Sequence, residues 1–163
     1  MKKLYFIAIV ALALFTTSNI NAQYKVGGGL VYGSDINNIG ISVNAGYNFT
    51  ENWVGEADFT YFFKNNMVKF SALDFDANYI LDMGLYPIAG INLTFVGIDI
   101  PEMDLGEYGS FGGTSASSTE FGINIGVGYN VSISDVLVLS PEMRYTLGGA
   151  NYFRAGVKLM YIF

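Results

Sequence analysis

From Ile39 to Phe49 every second residue is apolar: Ile39, Ile41, Val43, Ala45, Tyr47 and Phe49, with Gly40, Ser42, Asn44, Gly46 and Asn48 between them. The same rhythm returns between Phe121 and Val131, where Phe121, Ile123, Ile125, Val127, Tyr129 and Val131 alternate with Gly122, Asn124, Gly126, Gly128 and Asn130. Side chains of an extended chain project to opposite faces in turn, so each segment carries one greasy and one polar face. A helix would scatter the same residues around its circumference. These segments are strands, and the period recurs along the chain. It predicts eight strands near 24–33, 39–49, 53–64, 68–81, 85–97, 120–132, 136–147 and 152–163.

The connections differ in character. Thr50-Glu51-Asn52, Leu81-Asp82-Met83-Gly84 and Ser132-Ile133-Ser134-Asp135 read as tight turns. At the opposite end lie Ser34 to Asn38, Lys64 to Met67, a long Gly/Ser/acid-rich loop over 98–119, and Gly148 to Asn151. An even strand count, with short turns at one end and the longest loop at the other, fits a bacterial outer-membrane barrel. Ten residues rising about 3.3 Å each and tilted about 40° cover roughly 25 Å, the height of such a barrel's apolar band.

The chain begins with an address. Lys2 and Lys3 precede an unbroken apolar run from Leu4 to Phe15, then Thr16, Thr17, Ser18 and finally Asn21-Ala22-Gln23. A basic start, a hydrophobic stretch of this length and a small residue at the end describe a secretory signal peptide. The run is shorter than the roughly 20 residues that span a bilayer. Cleavage is expected after Ala22, so that residues 1–22 form the signal peptide and 23–163 the barrel domain.

Periodicity alone does not say which face points outward, since a soluble lipocalin-like carrier also has eight strands, with its apolar face inside. Composition and position decide. Only 13% of residues are charged, against about a quarter in soluble domains, and the polar face is mostly Gly, Asn, Ser and Thr. On the greasy face, Tyr47, Phe49, Trp53, Tyr79, Tyr129, Tyr161 and Phe163 fall at the turn end, whereas Tyr32, Tyr61, Phe63, Phe95, Tyr145 and Phe153 fall towards the loop end. Two aromatic girdles flanking an aliphatic band are what membrane interfaces favour. The expected fold is therefore an all-β, eight-stranded antiparallel up-and-down transmembrane β-barrel, with the apolar face towards lipid.

In the last strand Phe153, Ala155, Val157, Leu159, Tyr161 and Phe163 share one face, and the final residue is Phe163. This resembles the C-terminal signal that outer-membrane barrels present to their assembly machinery, with Tyr161 and Phe163 as the residues read. Leu85-Tyr86-Pro87-Ile88-Ala89-Gly90 and Gly122 to Tyr129 likewise look like the fifth and sixth strands of the small eight-stranded outer-membrane family exemplified by OmpX and the OmpA membrane domain. The resemblance covers the whole of 23–163. It implies the bacterial outer membrane as location, outer-membrane lipid and lipopolysaccharide as surroundings, and a monomer. Such motifs are generic to the fold and specify no activity.

Eight strands enclose an interior that side chains can fill, so no wide aqueous pore is expected. The inward positions include Glu56, Asp58, Asp74, Asp76, Glu142, Arg144, Arg154 and Lys158. Counted from the turn end, Asp58, Asp76, Glu142 and Lys158 fall at similar heights, with Asp74 and Arg144 slightly above. Glu56, Asp58, Asp74, Asp76, Glu142, Arg144 and Lys158 are accordingly expected to form an ionic belt across the lumen. The alternative is that these inward groups simply solvate trapped water.

Several functions are excluded by what the chain lacks or opposes. With no Cys and no His there is no thiolate nucleophile, no imidazole base and no His or Cys metal ligand. No cofactor, no metal and no catalytic residue is expected. A net charge of −6 disfavours nucleic acid, which binds basic faces. Asp99, Glu102, Asp104 and Glu107 in the long loop lack the spacing of a known Ca²⁺ cage. The leading reading is a non-enzymatic outer-membrane barrel with a structural or surface-contact role, any extracellular ligand being met by the loop 98–119. The competing readings are a lipid-modifying membrane enzyme, a channel and the soluble carrier.

Overall fold

The computed structural model describes residues 24–65, 68–100, 103–104, 110–111 and 114–163. The segment read as a signal peptide lies outside them. Eight strands form the barrel: β1 (Tyr24–Gly33), β2 (Asn38–Asn48), β3 (Trp53–Asn65), β4 (Val68–Tyr79), β5 (Leu85–Ile100), β6 (Thr114–Tyr129), β7 (Leu137–Gly148) and β8 (Tyr152–Ile162). A short extension, Val131–Ser132, continues the β6 side of the ladder against Val138 and Leu139. Each strand pairs antiparallel with its neighbour in sequence, and β1 pairs with β8 from Lys25–Ile162 to Gly33–Arg154. The result is a closed up-and-down barrel.

Closure fixes the tilt. Passing between paired neighbours from Tyr24 through Tyr47, Gly55, Ala77, Ala89, Ile125, Tyr145 and Phe153, one circuit returns to the chain at Ser34, whose amide donates to Phe153 O. Tyr24 and Ser34 stand ten residues apart, a shear that tilts eight strands by about 40°. Where the ladder lapses, sequence explains it. Pairing of β5 with β4 begins at Ile88, one residue past Pro87, and continuous pairing of β7 with β6 begins at Glu142, one residue past Pro141. A proline nitrogen has no proton to donate.

The alternation read from sequence becomes an inside and an outside. Val43 and Phe49 are 66% and 67% exposed, whereas Asp74 and Asn124 are 0% exposed. Of the girdle residues, Tyr32, Phe49, Trp53, Tyr61, Phe63, Tyr79, Phe95, Tyr129, Tyr145, Tyr161 and Phe163 are exposed on the outer wall, and Tyr47 and Phe153 are half-buried. Burial is thus inverted relative to a soluble barrel: aliphatic and aromatic side chains face out, and charge faces in.

One expectation needs correction. The stretch 98–119 is not all loop. β5 runs on to Ile100 and β6 starts at Thr114, with pairs from Phe95–Thr119 to Ile100–Thr114. The segment Thr114-Ser-Ala-Ser-Ser-Thr119 has no apolar period to mark it as a strand, but backbone pairing with β5 holds it extended all the same. A two-residue pairing, Met103–Asp104 with Ser110–Phe111, lies further along the same excursion.

Candidate functional site

The lumen is built by alternate residues of β2 to β8, and its middle is ionic. Arg144, 4% exposed, is the hub. Its Nη1 donates to Asp76 at 2.6 Å, while Nη2 and Nε donate to Glu142 Oε2 at 2.7 and 3.0 Å. Glu56, Asp58 and Asp74 stand 3.6, 3.8 and 3.8 Å from the same guanidinium. Arg154 grips Asp74 with both arms, Nη1 at 2.7 Å from Oδ2 and Nη2 at 2.9 Å from Oδ1, the planar fork that suits a carboxylate. Lys158 pairs with Glu56 and lies 2.6 Å from Glu142. Glu56, Asp58, Asp74, Asp76, Glu142, Arg144 and Lys158 thus stand in one connected set of contacts, β3 and β4 facing β7 and β8.

Sequence reasoning under-read two features of that set. Arg154 was recognisable as inward but not as the bidentate partner of Asp74. Neutral side chains join the network too. Asn92 and Asn124 donate to Asp74 at 2.5 and 2.7 Å, Asn124 also donates to Asp76 at 3.0 Å, and the Tyr86 hydroxyl donates to Glu142 at 2.7 Å. Thr60 donates to Asp58 at 3.0 Å, and Asn44 reaches the same carboxylate. Their inward parity was legible; their partners, on the same strand for Thr60, on the paired strand for Asn44 and Asn92, and a strand further round for Asn124 and Tyr86, were not.

Apolar side chains close the network at both ends. Val54, Ile88, Val138 and Met160 are buried on the turn side. On the loop side Phe62 packs edge-on against Phe70 at 5.6 Å, and Phe70 against Tyr152 at 5.3 Å. Arg154 lies 5.3 Å from the Tyr152 ring centre, a cation–π contact joining that lid to the charges below. Among the described residues, two voids between them are about 20 Å³ each, one beside Asp58, Arg144 and Lys158, another beside Lys25, Glu56 and Tyr86. Each has room for about one water.

Room for the network is made by glycine on β6. A Cβ on Gly128 would stand 2.5 Å from the Tyr86 hydroxyl oxygen, and one on Gly126 would stand 3.0 Å from Arg144 Cγ. The wall is thin there so that two large polar side chains can lie against it.

At the seam, the Phe163 amide donates to Tyr24 O at 2.9 Å, and the exposed rings of Tyr161 and Phe163 meet edge-on at 4.9 Å. At the loop end two features stand out. A recess of about 390 Å³ is lined by Asp35, Ile36, Phe63, Val68, Phe70, Val96, Ala150, Asn151 and Tyr152. Beside it, β6 pairs with β7 only as far as Gly122–Gly148, so residues 114–120 carry no partner strand on that side among the described residues. Glu102 and Glu107 of the acidic loop lie outside the described residues, as do the side chains of Asp99 and Asp104.

No family model matches the chain, and no curated protein matches it. Solved structures do. The N-terminal β-barrel domain of Pseudomonas aeruginosa OprF aligns with a TM-score of 0.64 at 14% identity, covering 88% of this chain and 98% of that one. Ail, the attachment invasion locus protein of Yersinia pestis, solved with the heparin analogue sucrose octasulfate, aligns at 0.56 and 15% identity over 86% of this chain and 97% of its own. A de novo designed transmembrane β-barrel aligns at 0.51 and 15% identity over 90% and 100%. The chain has the fold of small outer-membrane barrels. That a designed barrel shares it underlines that fold and activity are separate matters.

Proposed function

We propose that this chain is a non-enzymatic, monomeric integral protein of the bacterial outer membrane, delivered by a signal peptide cleaved after Ala22. Lipid and lipopolysaccharide surround the wall, and the assembly machinery reads Tyr161 and Phe163. The observation that carries this reading is the inverted burial. A wall with Leu30, Val43, Phe59, Ile91, Ile123 and Leu159 between 45% and 66% exposed is stable only where hydrocarbon, not water, is the solvent. Catalysis has no footing, because the lumen acids are tied to cations behind apolar lids and the chain has no His to act as base.

Contact with the exterior falls to the β5–β6 hairpin. Among the described residues, its β6 edge has no partner strand over 114–120 on the β7 side, the arrangement that accepts an added strand from another chain. Ail has the same fold and was solved with a polyanion, but a chain of net charge −6 suits an extended peptide segment better than a sulfated sugar. Purified mature protein should need detergent or lipid to remain dispersed, and should migrate differently on denaturing gels before and after boiling. A monomer freely soluble in buffer alone would overturn the membrane reading. For the hairpin, a strain lacking only residues 99–118 should match a full deletion in surface contact. A phenotype confined to the full deletion would assign the role to the barrel body.

A further inference from the structure

We propose that the recess at the loop end of the barrel is a binding site for a small organic cation with an apolar body, such as an aryl or alkyl ammonium. The site is separate from the β6 edge, and its failure would leave the membrane reading untouched.

Size comes first. About 390 Å³ falls within the 300–1,000 Å³ typical of small-molecule sites, whereas the two voids deeper in the lumen hold about one water each. The lining comes second. The floor is the half-buried ring of Phe70, backed by Tyr152 and Phe62, which are themselves buried, and Ile36, Val68 and Val96 complete an apolar wall. Tyr152 is held in place: its hydroxyl lies 3.2 Å from the Asn92 amide nitrogen and 3.1 Å from Thr94 Oγ1. This floor is preorganised and aromatic, and aromatic faces attract cations. On the lumen side, the buried Tyr152 ring already meets the Arg154 guanidinium.

Charge comes third. Among the described residues, Asp35 is the one carboxylate lining the recess, and no described Lys or Arg lines it. It is anchored across the seam of the barrel, because the Ser34 hydroxyl and the Phe153 amide both donate to its Oδ2, at 2.8 and 3.1 Å. The Ser34 bond first, and the Phe153 bond second, hold its carboxyl below the usual range, so it is ionised throughout the neutral region. No described residue forms an ion pair with it. An aromatic floor with one fixed anion at the rim selects a cation that also has apolar surface to bury. A hydrophilic cation gains nothing from the floor, and a neutral hydrocarbon gains nothing from Asp35.

The test uses the mature barrel in lipid nanodiscs, titrated with benzyltrimethylammonium and, in parallel, its neutral isostere neopentylbenzene, while the backbone amides are followed by NMR. The cation should give saturable shifts at Asp35, Ile36, Ala150 and Asn151. Asp35→Asn should weaken it about three- to tenfold, and Val96→Trp, which fills the recess, should abolish it while the gel-shift signature of the folded barrel persists. An Asp82→Asn control at the opposite end should change nothing. Absence of saturable binding, equal binding of the neutral isostere, or equal affinity in Asp35→Asn would each overturn the proposal.

Discussion

Arg144 illustrates how much one side chain carries when its surroundings are dry. Two carboxylates bond it directly and three more stand within 4 Å, in an interior whose described voids hold about one water each. Removing such a partner leaves buried anions uncompensated, a loss of about 3–5 kcal/mol. Arg144→Ala should therefore lower unfolding stability by that order in a urea titration in micelles. Lys69→Ala, on the exposed surface, should change it by less than about 1 kcal/mol; equal, small effects would reduce the belt to solvated polar filling. The Arg154–Asp74 pair is bidentate and flanked by Asn92 and Asn124, so a double-mutant cycle of Arg154→Met and Asp74→Asn should show strong coupling, above about 1 kcal/mol. Additive losses would mean that the fork contributes no more than its separate halves.

At the scale of elements, β6 has two jobs along one strand. Its lower part, from Gly122 to Gly128, is a thin wall against which Tyr86 and Arg144 lie; its upper part rises beyond β7, paired among the described residues with β5 alone. Gly128→Val should displace Tyr86 from Glu142 and cost about 1–3 kcal/mol, as overpacking does. Combining it with Tyr86→Ala should cost less than the two changes summed, and simple additivity would show that the ring and the glycine are not fitted to each other. The lower part was plain in the sequence because Phe121, Ile123, Ile125 and Val127 advertise a strand with one face in lipid. The upper part was not, because above the apolar band neither face has a fixed solvent, and Ser and Thr show no period. Pairing with β5 alone extends it. The lumen divides in the same way. Which residues point inward follows from parity, so Glu56, Asp58, Asp74, Asp76, Glu142, Arg144 and Lys158 could be named in advance. Which of them touch depends on tilt and on crossing the barrel, and so the Arg154 fork and the lids of Phe62, Tyr152 and Met160 emerge only with the closed cylinder.

The whole molecule is a cylinder whose centre is filled by its own charges, and that governs what can pass through it. Eight strands leave an interior just wide enough for side chains, and here the axis is blocked three times: by Phe62, Phe70 and Tyr152 on the loop side, by the Arg144 network in the middle, and by Val54, Ile88, Val138 and Met160 on the turn side. An ion crossing would have to displace an aromatic lid, break charge-assisted bonds and part an aliphatic seal in succession. Each barrier is of several kcal/mol by the energetics of buried pairs and packed cores, and they act in series. Reconstituted into planar bilayers, the protein should therefore show no stepwise currents of porin size. Truncating the upper lid as Phe62→Ala with Tyr152→Ala should leave the bilayer equally silent, because the charge network and the lower seal remain. Porin-sized steps from the unmodified barrel would mean that the lumen opens in a membrane, and the closed network would then describe only one of its states.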